Sequence, residues 1–163
     1  LRHSSGEDPR RLRWGVEGFV EGSTGTFDFA RPSVVLRGTA PLGRALVLGL
    51  EGAAGASVGD VPAQSLWLLG GPMSLRGYDG AAMRGNAFWR GRAELSNTFA
   101  GARVSLFTDV GWAGDGSEWE TGTPLVSVGL GGSALDGLLR VDLARTLRSP
   151  IDWRLHLYLD GLL

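Results

Sequence analysis

The chain of 163 residues has no cysteine, no lysine and no long uninterrupted apolar run. Without cysteine it can form neither a disulfide framework nor a Cys-based metal site. No apolar stretch approaches the ~18 residues of a transmembrane helix, and no segment keeps the i, i+3, i+4 period of an amphipathic helix. The net charge of −1 gives no global basic field, so we expect no nucleic-acid partner.

The sequence is instead rich in glycine, with 27 residues. Its apolar and polar side chains alternate strictly over long segments. Alternation with period two predicts β-strands, and turn signals such as Asp136-Gly137 separate the strands. The sequence therefore predicts one all-β, antiparallel unit over residues 1–163. The eight predicted strands are 11–21, 26–40, 44–54, 88–97, 102–112, 124–132, 138–146 and 152–160.

Alternation alone does not say which face is buried. In a soluble sandwich the apolar face forms the core, whereas in a transmembrane barrel it contacts lipid and the polar face lines the lumen. Three features favour the barrel. The strands are about ten residues long, the length that crosses a bilayer. Their apolar faces carry mainly Leu and Val, with Trp89, Trp112 and Trp153 near strand ends like an aromatic girdle. Their opposite faces carry Gly and charges of both signs.

A connection of about 30 residues, 55–87, interrupts the alternation. A connection this long is expected to be functional or packed on itself. It contains Leu75-Arg76-Gly77-Tyr78 within a glycine-rich stretch. An arginine held in such a loop needs a carboxylate partner, and the polar faces of the next two strands offer Glu94 and Asp109. We therefore expect Arg76 to pair with both, since a guanidinium fork can bind a carboxylate through two bonds.

Other motifs do not support catalysis, a metal or a cofactor. Residues 55–59 match the Gly-x-Ser-x-Gly pattern of a nucleophile elbow, but no helix follows as that motif requires. The two histidines, His3 and His156, are too far apart for ligand spacing. The glycine clusters lack the strand-then-helix context of a phosphate loop. We expect no enzyme activity, and we interpret Arg140, Asp142, Arg154, His156 and Asp160 as a hydrated lumenal network.

Several blocks together resemble the C-terminal barrel of the BamA/TamA-type outer-membrane assembly factors, the bacterial surface antigen family. That family carries a Val/Ile-Arg-Gly-Phe/Tyr tetrad in a long loop folded back into the barrel, and here Leu75 takes the first position. The blocks agree in order and spacing over most of residues 65–163. They are Gly70-Gly71, Leu75-Arg76-Gly77-Tyr78, Arg84-Gly85-Asn86-Ala87, Arg92-Ala93-Glu94-Leu95, Leu106-Phe107-Thr108-Asp109-Val110-Gly111, Val128-Gly129-Leu130-Gly131 and Leu138-Leu139-Arg140-Val141-Asp142-Leu143-Ala144.

The resemblance implies the second half of a transmembrane barrel in a bacterial outer membrane, with the 55–87 connection folded inward and without the upstream periplasmic domains. It implies a non-enzymatic role in inserting or translocating unfolded client proteins, in contact with lipid and with possible accessory assembly proteins. The last strand would form one side of a lateral seam, carrying Trp153, Leu155, Leu157 and Leu159. Two alternatives stay open, an anchor or secretion barrel for a passenger such as a patatin-like lipase, and a soluble lipocalin-like binding barrel.

Overall fold

The computed structural model describes residues 12–98, 102–135 and 138–159, together with the backbone of residues 2–5. These residues form strands and two short 3-10 turns, Ala63–Ser65 and Gly116–Glu118. No helix among them is long and apolar enough to span a bilayer. The strands are β1 Arg2–Ser5, β2 Arg13–Ser23, β3 Phe29–Leu42, β4 Leu46–Ala56, β5 Val58–Gly59, β6 Trp67–Leu69, β7 Met83–Gly85, β8 Ala87–Asn97, β9 Ala102–Gly114, β10 Leu125–Ala134, β11 Leu139–Thr146 and β12 Trp153–Leu159.

The long strands form one antiparallel sheet in the order β1-β2-β3-β4-β8-β9-β10-β11-β12, with β5 paired beside β3. Each long strand therefore pairs with its neighbour in sequence, except that β4 and β8 are joined across the long connection. Within that connection β6 and β7 form a separate hairpin. The described sheet is open, with β1 and β12 at its two edges.

The prediction of an all-β antiparallel fold with about eight long strands is confirmed, and each predicted strand has a counterpart in the sheet. The observed bounds shift by a few residues, as for the predicted strand 11–21, which lies at Arg13–Ser23. Sequence alternation missed β1 and the short strands β5 to β7, because two to four residues are too few to reveal a period. The predicted turn at Asp136-Gly137 lies outside the described residues.

The two faces of the sheet reverse the usual arrangement of a soluble protein. Large apolar side chains point outward on strand after strand, for example Leu36, Leu106 and Leu157, each more than half exposed. Charged side chains lie on the other face, where Arg76, Asp109 and Asp142 are fully buried. A soluble monomer rarely exposes contiguous apolar patches above a few hundred Å². The exposed apolar face is therefore the face that suits lipid, and the charged face is the lumenal face.

The long connection packs against the lumenal face of the sheet. Its hairpin contributes Leu69, with Trp67 and Met83 beside it, to an apolar cluster with Phe88 and Ala113 of the sheet. The rings of Trp67 and Phe88 lie 4.5 Å apart. This apolar contact covers one end of the lumenal face and brings the following residues, 70–82, over its middle.

The connections differ sharply between the two ends of the sheet. Only three residues, 43–45, separate β3 from β4, and only four, 98–101, separate β8 from β9. At the opposite end residues 57–86 join β4 to β8 and residues 115–124 join β9 to β10. Outer-membrane barrels have short periplasmic turns and longer extracellular loops. The two ends are called below the short-turn end and the loop end.

Candidate functional site

Arg76 occupies the centre of the lumenal face and is fully buried. Its Nε and Nη2 atoms donate to the two carboxylate oxygens of Asp109 at 2.8 and 2.7 Å, and its backbone N–H donates to the same carboxylate at 3.0 Å. The guanidinium lies over the ring of Phe107, 3.4 Å from the ring centroid. Two parallel bonds plus a stacked ring fix both the position and the plane of the guanidinium.

Two further carboxylates complete the surroundings of the Arg76 guanidinium. Its Nη1 atom donates to Glu94 at 3.1 Å and to Asp142 at 3.2 Å. Arg140 neutralises the same pair, at 2.6 Å from Glu94 and 3.0 Å from Asp142, and the Tyr158 hydroxyl donates to Asp142 at 2.7 Å. Because buried charges are costly unless paired and hydrogen-bonded, this closed set of partners makes burial of Arg76 tolerable.

Gly77 passes close to the inner wall of the sheet. Its φ of 89° is in the left-handed region, and an added Cβ would lie 3.2 Å from both the Ala144 Cβ and the Thr146 Cγ2. Its backbone N–H donates to the Nε2 atom of His156 at 3.1 Å. Glycine is therefore required here both for the backbone conformation and for the close approach.

Tyr78 and Leu75, the outer members of the tetrad, are buried on either side of Arg76 and Gly77. The Tyr78 hydroxyl donates to the carbonyl oxygen of Val126 at 2.9 Å and lies 3.2 Å from the backbone N–H of Arg148, which donates to it. The tight turn is held internally by the Leu75 N–H, which donates to the Gly71 carbonyl at 3.0 Å. Together these contacts attach the tetrad to the strands from β8 to β12.

The charged side chains of the sheet line up because the strand register places them side by side. Arg37 of β3 is opposite Glu51 of β4, which is opposite Arg92 of β8, which is opposite Asp109 of β9. Opposite charges in directly facing positions attract. Arg37 binds Glu51 at 2.7 Å, and Arg92 binds Asp109 at 3.1 Å. The tetrad thus joins a row of alternating charges that crosses four strands.

Asp79 follows the tetrad and lies outside the strands, where it pairs with Arg154 of β12. Hydrogen bonding from Arg154 lowers the pKa of the Asp79 carboxyl below its ordinary value. The carboxylate is therefore charged over the whole neutral range. This contact is exposed, so solvent screens it and it adds little to the attachment of the loop.

The structure places the two partners expected for Arg76, Glu94 and Asp109, against its guanidinium. Sequence reasoning missed Asp142 as a third partner, although alternation assigns this residue to the lumenal face. It also missed Phe107, an apolar residue on the polar face of β9. That position is itself a signal, because an aromatic ring among inward charges is a natural platform for a guanidinium.

The predicted aromatic girdle is only partly correct. Trp153 is 57% exposed on the outer face, but Trp112 is only 2% exposed. The loop after β9 covers Trp112, with the Trp119 ring edge-on at 6.1 Å and Gly122 so close that a Cβ there would overlap the indole. The outward residues of the last strand, Leu155, Leu157 and Leu159, are all exposed at the edge of the sheet.

This arrangement can hold the loop against the sheet. Its charged groups are paired with one another, and its cation is an arginine, which does not release a proton in proteins. These ion pairs and hydrogen bonds fix residues 70–79 against five consecutive strands, β8 to β12.

Comparison with known proteins agrees with this geometry. A search of curated proteins gave no match. Residues 8–152, which include every long strand except the last, match the model of the Omp85 superfamily domain. Members of this superfamily are outer-membrane β-barrels of Gram-negative bacteria and form a family of transporters and assembly factors rather than enzymes. With its inverted faces and its buried arginine loop, this chain belongs to the Omp85 superfamily.

Proposed function

We propose that the chain is the C-terminal part of an outer-membrane barrel that inserts or translocates client proteins through a lateral seam formed on one side by β12. The observation that carries the proposal is the position of β12 at the edge of the sheet. Its backbone pairs with β11 on one side. An unpaired edge can accept another strand through main-chain hydrogen bonds, the recognition mode called β-augmentation.

The outer face of β12 supports the same role. Trp153, Leu155, Leu157 and Leu159 are all more than half exposed, so a client strand paired here would meet lipid at once. In a bilayer an unpaired backbone is costly because water is absent to satisfy it. A client strand that arrives unfolded therefore gains about half of its backbone hydrogen bonds by pairing at this edge, without any chemical step.

The buried tetrad supports a role for this loop beyond connecting two strands. A loop that only connected strands would not need a fully buried arginine with three carboxylate partners. We infer that the tetrad fixes the curvature of strands β8 to β12 and so the position of the seam. The partners expected on this basis are outer-membrane lipid, unfolded client proteins and accessory assembly proteins.

The two alternatives agree with the structure to different degrees. A soluble lipocalin-like barrel would need the Leu, Val and Trp faces to point inward, whereas Leu106 and Leu130 are more than half exposed on the outside. A barrel that anchors or secretes a fused passenger, such as a lipase, would share every contact described above. Client insertion is the property that separates it from the proposed function.

The absence of cysteine allows a direct test by disulfide trapping. Leu157→Cys places one thiol on β12, and the chain is folded into phosphatidylcholine vesicles. An unfolded outer-membrane protein with one cysteine in its last strand is then added under mild oxidation. Directly opposite residues of antiparallel strands have Cα atoms about 4.5–5.5 Å apart, within the range of about 4.4–6.8 Å that a disulfide spans between Cα atoms. We expect a crosslinked product and protease-protected client.

Leu143→Cys is the matched control, because Leu143 also faces outward but lies on β11, which is paired on both sides. It should trap little or no client. Equal trapping at both positions would mean collision rather than pairing, and the seam proposal would fail. A folded chain that traps no client at Leu157 and protects none would instead favour the passenger-anchor barrel.

A further inference from the structure

A second feature of the lumenal face lies at the short-turn end, away from the Arg76 network. It is a cavity of about 1120 Å³, bounded by β2, β3, β4, β8 and the start of β9. Its charged lining residues are Arg13, Arg44 and Arg103, and Ser96, Asn97 and Thr98 add polar groups. The volume lies just above the range of about 300–1000 Å³ that small-molecule sites occupy, so the cavity has room for a short segment of polypeptide.

The three arginines differ from those deeper in the lumen. Arg37, Arg76, Arg92 and Arg140 each form an ion pair with a carboxylate. Within the part of the chain that the structure describes, Arg13, Arg44 and Arg103 form none, and no aspartate or glutamate lines the cavity. Among the described residues, the charges are therefore paired in the middle of the lumen, whereas three positive charges at its short-turn mouth have no carboxylate partner.

The arginines face the lumen or its rim rather than lipid. Arg13 of β2 is opposite Thr39 of β3. Thr39 lies two residues from the lumenal Arg37 on β3, and side chains two residues apart share a face, so Arg13 also lies on the lumenal face. Arg103 is two residues from the buried lumenal Ser105. Arg44 is in the turn between β3 and β4, where its carbonyl accepts from the Thr98 hydroxyl at 3.1 Å. That bond ties the turn between β3 and β4 to the end of β8 and so fixes the rim.

We propose that this cavity binds an acidic segment of a polypeptide at the periplasmic mouth of the lumen, with carboxylates paired to Arg13, Arg44 and Arg103. The short-turn end is the periplasmic end in outer-membrane barrels. Arginine binds carboxylates through a planar fork and keeps its charge at all pH values. Anionic lipid headgroups share this charge, but lipid contacts the outer face of the sheet, whereas Arg13 and Arg103 lie on the lumenal face. The proposal is independent of the seam.

The test uses the full chain folded in neutral detergent and a fluorescent decapeptide rich in Asp and Glu, with its Asn and Gln counterpart as the uncharged control. Anisotropy titrations give the dissociation constant. Each single change, Arg13→Gln, Arg44→Gln or Arg103→Gln, should raise it about two- to fivefold, and the triple variant at least about tenfold. Affinity should fall as salt rises. Arg84→Gln removes an exposed arginine at the loop end and should leave affinity unchanged.

A charge-reversed variant separates lost binding from lost folding. The triple change of Arg13, Arg44 and Arg103 to Glu should weaken the acidic peptide and bind a Lys-rich decapeptide, a gain that misfolding does not produce. Unchanged affinity of the triple Gln variant for the acidic peptide would overturn the proposal. The proposal would also be overturned if the triple Gln variant lost only its binding to phosphatidylglycerol vesicles, because the cavity would then bind lipid headgroups.

Discussion

Replacing Arg76 by alanine should release the loop while leaving the sheet folded. The guanidinium is fully buried between Asp109 and Asp142, which are also fully buried. Removing one member of a buried ion pair costs about 3–5 kcal/mol, because the partner is left buried without its countercharge. Arg92 and Arg140 remain bound to the two carboxylates, so we expect a value near 3 kcal/mol. The strands keep their ladder hydrogen bonds, which do not involve Arg76.

Hydrogen exchange measured by mass spectrometry checks this directly. Exchange of the amides of residues 70–79 reports how often the loop opens. A loss of about 3 kcal/mol corresponds to roughly a hundredfold faster exchange, since about 1.4 kcal/mol is a factor of ten. Strands β9 and β10 should keep their protection to within about threefold. The client-insertion activity should fall far more than the resistance of the barrel to urea.

Two outcomes would refute the reasoning. Loop amides that exchange at the wild-type rate in Arg76→Ala would show that the ion pairs do not hold the loop. Strand amides that lose protection equally would show that Arg76 holds the sheet itself. A variant with full activity would remove the tetrad from the proposed function. Arg84→Ala, which removes an exposed arginine of the same connection, should change neither loop exchange nor activity.

Three further predictions concern the tetrad and the faces of the sheet. Gly77→Ala should speed loop exchange by about five- to 150-fold, because a left-handed φ and a crowded Cβ cost on the order of 1–3 kcal/mol. Gly80→Ala, with open space around it, should have little effect. Tyr78→Phe removes the hydrogen bonds of the hydroxyl with the Val126 carbonyl and the Arg148 N–H, and should cost about 0.5–1.5 kcal/mol in the same assay. In vesicles of brominated lipid, Trp153→Phe should remove a large share of the fluorescence quenching, whereas Trp112→Phe should remove almost none.

Most of the fold can be predicted from the sequence because each strand repeats one simple signal. Leu155, Leu157 and Leu159 alternate with polar residues for long enough to define both a strand and its lipid-facing side. The same alternation along β9 assigns Asp109 to the lumenal face. Short elements such as β6, with three residues, carry no such repeat. Their place depends on packing against Phe88, a contact that local pattern does not encode.

The candidate site could likewise be predicted from the sequence only in part. An arginine in a glycine-rich loop predicts carboxylate partners, and two of them can be named from their strands. Asp142 cannot be chosen among the lumenal charges, because its distance from Arg76 depends on the curvature of the sheet across β9, β10 and β11. The assignment of Trp112 to the girdle is wrong because alternation gives the face of a strand but not which loop folds over it.

The contacts of Leu75-Arg76-Gly77-Tyr78 bear on the order in which the barrel is built. Arg76 binds Asp142, which is 66 residues later in the chain, and Gly77 binds His156, which is 79 residues later. Contacts across such separations form late, after the intervening segments have been ordered. The tetrad can complete its bonds only when the strands from β8 to β12 are in place with correct register. A docked tetrad with all of its bonds therefore requires the last strand to be already in place.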